Sequence, residues 1–286
     1  MAIIKKADDQ NQPAKPERRN FMKMAGMTGL GVAGATLLGG AARSAMAQTS
    51  GLSDADILNF ALNLEYLEAE FYTVATTGKT IAQIGIPVGS NAGQTTGGGK
   101  VNFKGAVFVD DNMGLMAEQI AYDEQRHVLF IQNALKSFGL TPVSKPAINL
   151  DALGVGFANL QQFLTLARAF EDVGVSAYAG AAPLISNSTV LGYAARILAA
   201  EAEHSGAIRL QVVLNAVKTT KLDGVDILPP PSGQQYFSLD LQNAMCAIRT
   251  PGQVLYIVYG FQANTTMGGF FPDGANGLLN MSSASA

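Results

Sequence analysis

The two histidines of the chain occur in the same local arrangement, each three residues after a glutamate. Glu124 precedes His127, and Glu201 precedes His204. Residues three apart on a helix share a face, with Cβ atoms about 5–6 Å apart, so each pair can bind one ion through a carboxylate and an imidazole. The chain has only nine glutamates, and chance would give both pairs in about one sequence in a thousand. The spacing therefore predicts two metal-binding pairs.

A second motif also occurs twice, in which a tyrosine follows a glutamate by seven residues. Tyr72 follows Glu65, and Tyr178 follows Glu171. Seven residues are nearly two helical turns, so each glutamate shares a helix face with its tyrosine. The flanking residues match as well, with Ala61 and Leu64 before the first glutamate and Ala167 and Phe170 before the second. The pattern indicates a duplication, in which each half supplies a carboxylate helix and a Glu-x-x-His helix.

Four long helical patterns carry these residues. Apolar residues recur at helical spacing over about 54–76, 112–137, 155–180 and 188–217. The glycine-rich stretch 78–105 separates the first two patterns and predicts a loop or a small hairpin. After 218 the chain is richer in proline and turns, and Thr250-Pro251 predicts a short helix to Tyr259. These lengths favour a four-helix bundle.

Composition excludes several classes of protein. The chain has 286 residues, of which 48% are hydrophobic and 14% charged, which argues against disorder. Its one cysteine, Cys246, excludes a disulfide scaffold and a cysteine-based zinc module. The formal net charge of −3 leaves no basic surface for nucleic acid.

The first 47 residues have the order of an export signal. A basic region ends in Arg18-Arg19-Asn20-Phe21-Met22-Lys23, an apolar stretch follows, and Ala45-Met46-Ala47 supplies a small-x-small cleavage site. The paired arginines resemble a twin-arginine (Tat) signal. A membrane anchor is the alternative, since the apolar stretch approaches the ~20 residues that span a bilayer. We expect the Tat translocase to act on this segment and the mature protein to be periplasmic or extracellular.

The two motifs together match a known ligand pattern. One inward glutamate from each of two helices, with a Glu-x-x-His from each of two others, occurs in carboxylate-bridged dimetal bundles. Four carboxylates and two imidazoles suit two divalent ions such as Fe or Mn. An apolar core would not otherwise tolerate four ionised carboxylates.

The segment Leu58–Tyr72 resembles the opening helix of the ferritin-like proteins grouped with plant desiccation-related proteins, many of which are bacterial and Tat-exported. The tail from Arg249-Thr250-Pro251 to Tyr259, followed by Gly268-Gly269-Phe270-Phe271-Pro272, is similar to the ending of that group. The resemblance implies an all-α ferritin-like four-helix bundle over 48–217, with a glycine-rich insertion at 78–105. It also implies that a C-terminal extension with short helices, 218–286, packs on the bundle.

By resemblance to ferritins and bacterioferritins, six residues would bind the two metal ions: Glu65, Glu124, His127, Glu171, Glu201 and His204. In bacterioferritins an aspartate before each Glu-x-x-His holds the opposite histidine. Asp123 fits that role, whereas Ala200 does not, so His127 needs another partner.

Other polar residues near the predicted ligands leave alternatives open. Glu68 lies nearer the centre of the apolar face of its helix than Glu65 and could replace or supplement it as a ligand. Tyr72 and Tyr178 could donate to ligand carboxylates, serve in proton or radical transfer, or be ordinary core tyrosines. We expect Glu70 and Glu203 to face solvent.

Two classes of function fit this set of residues. The first is a di-iron or di-manganese oxidoreductase, resembling a ferroxidase, peroxidase or catalase, that reacts with O₂ or H₂O₂ in oxidative or desiccation stress. The second is a metal-binding or stress-protective protein without turnover, in which the ions stabilise the bundle. The sequence does not choose between Fe and Mn, and it leaves homo-oligomerisation open.

Overall fold

The computed structural model describes residues 51–107 and 112–286. The segment 1–47, with its expected export signal, lies outside this part of the chain. Five α-helices are present in the described ranges: α1 (Asp54–Thr77), α2 (Met113–Ser137), α3 (Leu160–Ala181), α4 (Ser188–Leu214) and α5 (Pro251–Val258). Two short strands, β1 (Thr95–Thr96) and β2 (Ile148–Asn149), and 3₁₀ turns at Ala82–Ile84 and Ala182–Leu184 complete the regular structure of these ranges. The predicted all-α architecture is confirmed.

Polar caps set where the helices begin. Ser53 forms a capping box with Asp56 at the start of α1, and Asn187 accepts hydrogen bonds at the start of α4. The third helix was expected near residue 155 but begins at Leu160, because the Asn159 side chain accepts from the Gln162 N–H and ends the preceding turns. Such a cap stabilises a helix by about 1 kcal/mol.

The bundle consists of two helix pairs. The chain packs α1 along α2 and α3 along α4, and contacts between α1 and α3 join the pairs. Phe71 on α1 stacks on Phe163 of α3 with ring centroids 5.4 Å apart, and it also contacts Phe170. This buried aromatic cluster fixes the spacing of the two carboxylate helices.

The glycine-rich insertion does not form a hairpin. Its strand β1 pairs in parallel with β2, which lies between α2 and α3 in the chain. Glu70 is fully buried beneath it, accepting hydrogen bonds from the Ile81 N–H and, at 2.8 Å, from the Thr95 hydroxyl, with the Lys145 ammonium 3.5 Å away. The expectation that Glu70 faces solvent was wrong, because the insertion covers that side of α1. Glu203 is exposed, as predicted.

The C-terminal segment packs on the same helices. The Arg249 guanidinium donates to the Asp223 carboxylate at 2.6 Å and to the Ser176 hydroxyl of α3 at 2.7 Å. Asn276 and Asn63 of α1 exchange two hydrogen bonds of 2.8 and 2.9 Å. Within the described ranges, no helix is both long enough and apolar enough to cross a membrane.

Candidate metal centre

The fold brings the six predicted ligands together in the middle of the bundle. Their side chains form two groups, in each of which one potential ligand atom per residue lies within 4.8 Å of the others. The first group contains Glu65, Glu124, His127 and Glu201, and the second contains Glu124, Glu171 and His204. Glu124 belongs to both, so its carboxylate would be available to an ion in either group. All four glutamates are fully buried.

Each imidazole directs its Nδ1 atom at the carboxylates. His127 Nδ1 lies 3.1 Å from Glu124 Oε2, 3.3 Å from Glu65 Oε2 and 3.6 Å from Glu201 Oε1. His204 Nδ1 lies 3.0 Å from Glu124 Oε1 and 3.6 Å from Glu171 Oε2. The two rings face each other across the centre with centroids 6.3 Å apart.

Several buried polar atoms of the centre have no hydrogen-bond partner among the described residues. Although His204 Nδ1 and Glu124 Oε1 are close, they are not aligned for a hydrogen bond. Buried polar atoms are normally satisfied, and a convergent set without protein partners is an environment that an ion or ordered water would satisfy. The unpartnered atoms are Glu65 Oε2, Glu124 Oε1, Glu171 Oε2, both carboxylate oxygens of Glu201, and His204 Nδ1. Oxygen and imidazole donors in this arrangement fit two divalent cations.

Each of the two tyrosines donates a hydrogen bond to the predicted ligand of the opposite helix. Tyr72 on α1 donates to Glu171 Oε1 at 2.5 Å, and Tyr178 on α3 donates to Glu65 Oε1. Burial and the charge of the neighbouring glutamate raise the pKa of each phenol well above its usual value, so both remain donors. Of the roles left open by the sequence, the structure shows the hydrogen bond to a ligand carboxylate.

The two histidines differ in the partner of the Nε2 atom. Asp123 Oδ2 is 3.3 Å from His204 Nε2, as the resemblance to bacterioferritins implied. No side chain in 51–107 or 112–286 pairs with His127 Nε2, and Ala200 stands where a second aspartate would be. The His127 side chain is 13% exposed. The two halves of the centre are therefore not equivalent.

Burial and the mutual charges of the glutamates and histidines shift the pKa values of the centre in opposite directions. Burial raises the pKa of Glu65 to about 7 and that of Glu201 well above its usual range. Burial also opposes the ionisation of Glu124, but the adjacent imidazoles lower its pKa to about 2. Burial opposes protonation of His127 and His204 too, yet the facing carboxylates raise the pKa of each to about 12. At neutral pH the protonated imidazoles therefore balance part of the charge of the carboxylates.

Metal binding should release these protons. A ligand must lose its proton before it coordinates, so at neutral pH two ions should displace protons from both imidazoles and from the two glutamates whose pKa burial raises, Glu65 and Glu201. The affinity should fall as the pH drops, because the ions compete with protons for the imidazoles, and it should fall more steeply below about 7, where Glu65 also gains a proton. Calorimetric titrations with Mn²⁺ in buffers of different ionisation enthalpy measure the release. A binding enthalpy that is independent of the buffer would contradict it.

Glu68 lies beside the six ligands. Its side chain is 4% exposed, and burial together with the charge of Glu201 raises its pKa well above the usual range. It belongs to neither group of converging atoms, whereas Glu65 belongs to the first. Glu65 is therefore the carboxylate of α1 that the fold places with the histidines.

Gly174 of α3 is a residue that the sequence reasoning missed. A Cβ atom there would clash with Glu201 Oε2 and lie 3.1 Å from Glu68 Oε1. The repeat in the sequence could have identified this glycine. Gly174 follows Glu171 by three residues, and the corresponding position in the first half, three residues after Glu65, is Glu68. The glycine leaves the space in which two carboxylates sit.

Gly174→Ala should move stability and metal binding in opposite directions. Alanine favours a helix interior over glycine by about 1 kcal/mol, and the clash falls on the end of a flexible side chain, so the metal-free protein should be as stable as wild type or more stable. Metal affinity should fall about tenfold or more because Glu201 is displaced. Gly192→Ala on α4, where a Cβ meets nothing within 4 Å, is the matched control. Equal metal affinity in the two variants would show that Gly174 does not shape the centre.

Comparisons with known proteins agree with this geometry. Residues 53–213 match the model of the ferritin-like domain family. The desiccation-related protein PCC13-62 of Craterostigma plantagineum is 27% identical over 192 residues, which cover 61% of this chain and 58% of that protein, so the match spans less than two thirds of its length. The ferritin-like catalase Nec2 of Nesocodon mauritianus is 23% identical, over 81% of this chain and 86% of that protein. The four helices, the converging side chains and the family match lead to one conclusion: the chain, which is similar to a desiccation-related protein, belongs to the ferritin-like domain family.

Proposed function

We propose that this protein is a dimetal enzyme, with Fe or Mn, that breaks down hydrogen peroxide to water and dioxygen. The observation that carries the proposal is the pair of ligand groups that share Glu124 and contain six buried, unpartnered donor atoms. The relative named as a ferritin-like catalase, which matches over most of both chains, supports peroxide as the substrate. Reaction with O₂ at the same centre is the related chemistry that the same donors permit.

The residues of the chain have separable tasks in this activity. Two bound metal ions would supply the redox equivalents. Glu65 and Glu171 would hold one ion each, and the phenols of Tyr178 and Tyr72 keep these carboxylates in place through hydrogen bonds. Asp123 orients the His204 ring through Nε2. His127, 13% exposed against 9% for His204, is the more exposed of the two imidazoles.

The activity can be tested with purified mature protein reconstituted with Mn²⁺ or Fe²⁺. An oxygen electrode should record O₂ release from H₂O₂ well above that of the same concentration of free ion, with two ions bound per chain. Zinc-loaded protein, which holds an ion without redox chemistry, is the control. Loaded protein that consumes peroxide no faster than the free ions would contradict the proposal.

The second candidate is a protective protein in which the ions only cross-link the bundle. The similarity to a protein named for desiccation favours it, as does the burial of four glutamates from four helices at one point. Ions that bind only the folded state add stability by linkage, about 4 kcal/mol when their concentration is 1,000 times Kd. A melting temperature that chelation leaves unchanged would count against this role.

We also propose export through the Tat route, for which the Arg18-Arg19 pair and the Ala45-Met46-Ala47 site are the support. Cleavage after Ala47 would remove seven basic and three acidic residues and leave a net charge of −7. Cell fractionation of Arg18→Lys/Arg19→Lys should find the unprocessed protein inside the cell. Unchanged processing would point to another route.

A further inference from the structure

The two halves of the bundle differ at one position that faces the centre. An offset of 106 residues aligns Glu65 with Glu171 and Tyr72 with Tyr178. The same offset aligns Glu68 with Gly174, so α1 has a carboxylate where α3 has no side chain. Glu68 Oε1 lies 3.1 Å from the point that a Cβ of Gly174 would occupy. The extra carboxylate of one half therefore reaches into the space that the other half leaves open.

Glu68 is a buried acid without a partner of opposite charge. Its side chain is 4% exposed, and no donor in the described ranges forms a hydrogen bond with its carboxylate. Glu201 Oε2 lies at the same open position of Gly174, and the charge of Glu201 is the largest of those that act on Glu68. A carboxylate in such a place is stabilised only by a proton or a cation.

The two ligand groups are also unequal in number. Four residues converge around His127, but only three around His204. Glu68 points at α3, the helix that supplies Glu171 to the smaller group. After burial, the charges that act on Glu68 are those of Glu201, Glu124 and Glu171, ahead of that of Glu65 on its own helix. Glu68 thus lies on the side of the centre formed by α3 and α4, the helices that carry Glu171 and His204.

We propose that Glu68 is the fourth protein ligand of the ion held by Glu124, Glu171 and His204. This inference rests on the dimetal centre of the proposed function but not on any turnover there. This ligation would explain why the two halves differ at this position, because Gly174 of α3 leaves space for a ligand that only α1 supplies. The ion beside His204 is bound by a set of residues that differs from the set around His127.

The test is a titration of metal-free Glu68→Gln with Mn²⁺ against a competing chelator, together with EPR spectroscopy. Wild type should bind two ions with the spectrum of a coupled pair. The variant should bind one ion with unchanged affinity and the second about 100-fold more weakly or worse, with the spectrum of an isolated ion. Glu203→Gln, an exposed glutamate on α4, is the matched control and should behave as wild type.

Double variants with either histidine replaced by alanine show which of the two ions Glu68 binds. In His127→Ala the remaining ion should depend on Glu68, so adding Glu68→Gln should abolish its binding. In His204→Ala the same addition should change little. The opposite pattern, or two ions bound normally by the single variant, would overturn the assignment. Equal weakening of both ions would also overturn it, since Glu68 would then act on the whole centre.

Thermal melting of the metal-free variants separates ligand loss from misfolding. Glu68→Gln replaces a buried acid by a neutral amide of the same shape, so it should melt no lower than metal-free wild type. A lower melting temperature would assign Glu68 a structural role and contradict the inference. Wild type that binds two ions but shows no peroxide turnover would instead contradict the proposed function and leave the ligand assignment standing.

Discussion

Glu124→Gln is expected to abolish the dimetal centre, leaving at most one weakly bound ion per chain and no peroxide turnover above that of free metal. Glu124 is the one residue that belongs to both ligand groups, and both imidazoles face its carboxylate. Loss of a group that merely supports a ligand already weakens metal binding 10- to 100-fold, so loss of the shared ligand should exceed about 100-fold at both positions. Elemental analysis after gel filtration, followed by an oxygen-electrode assay, measures both effects.

The control for this variant is Glu118→Gln, an exposed glutamate on the same helix. It removes the same charge from α2 without touching the centre and should retain two ions and full activity. Glu124→Gln/Glu201→Gln should lose the remaining ion as well. Two ions per chain in the Glu124 variant would show that another residue bridges the metals and that the site is wrongly assigned.

Arg209→Met should lower the free energy of unfolding by about 3–5 kcal/mol. The Arg209 guanidinium is fully buried on α4 and donates to Asp172 Oδ2 at 2.6 Å. It also donates, at 2.8 Å each, to the carbonyl oxygens of three residues of the C-terminal segment: Ile227, Gln235 and Tyr236. Methionine fills similar space but leaves these acceptors and part of the Asp172 charge without partners.

The melting temperature of Arg209→Met should accordingly fall by about 10 °C or more. Arg196→Met on an exposed face of α4 is the control and should lie close to wild type. The comparison is best made on metal-free protein, so that linkage to bound ions does not mask the change. A loss below about 1 kcal/mol would show that water replaces the guanidinium and that the tail is not anchored there.

The sequence by itself determined the helices and the ligand types. Glu124 with His127 and Glu201 with His204 could be recognised because helical spacing is a local property, which three or four residues along the chain decide. The repeat of Glu65 and Tyr72 in Glu171 and Tyr178 indicated the duplicated bundle for the same reason. The predicted start of the third helix was in error by five residues, since the capping by Asn159 outweighed the apolar pattern before it.

The tertiary structure decided which residues meet across helices. Each tyrosine donates to the glutamate of the other carboxylate helix, and Glu124, rather than any other glutamate, belongs to both ligand groups. Glu70, expected on the surface, is buried because an insertion pairs with a strand more than fifty residues away. These contacts depend on the register and distance at which helices pack, and periodicity along one helix carries no information about the helix that lies opposite.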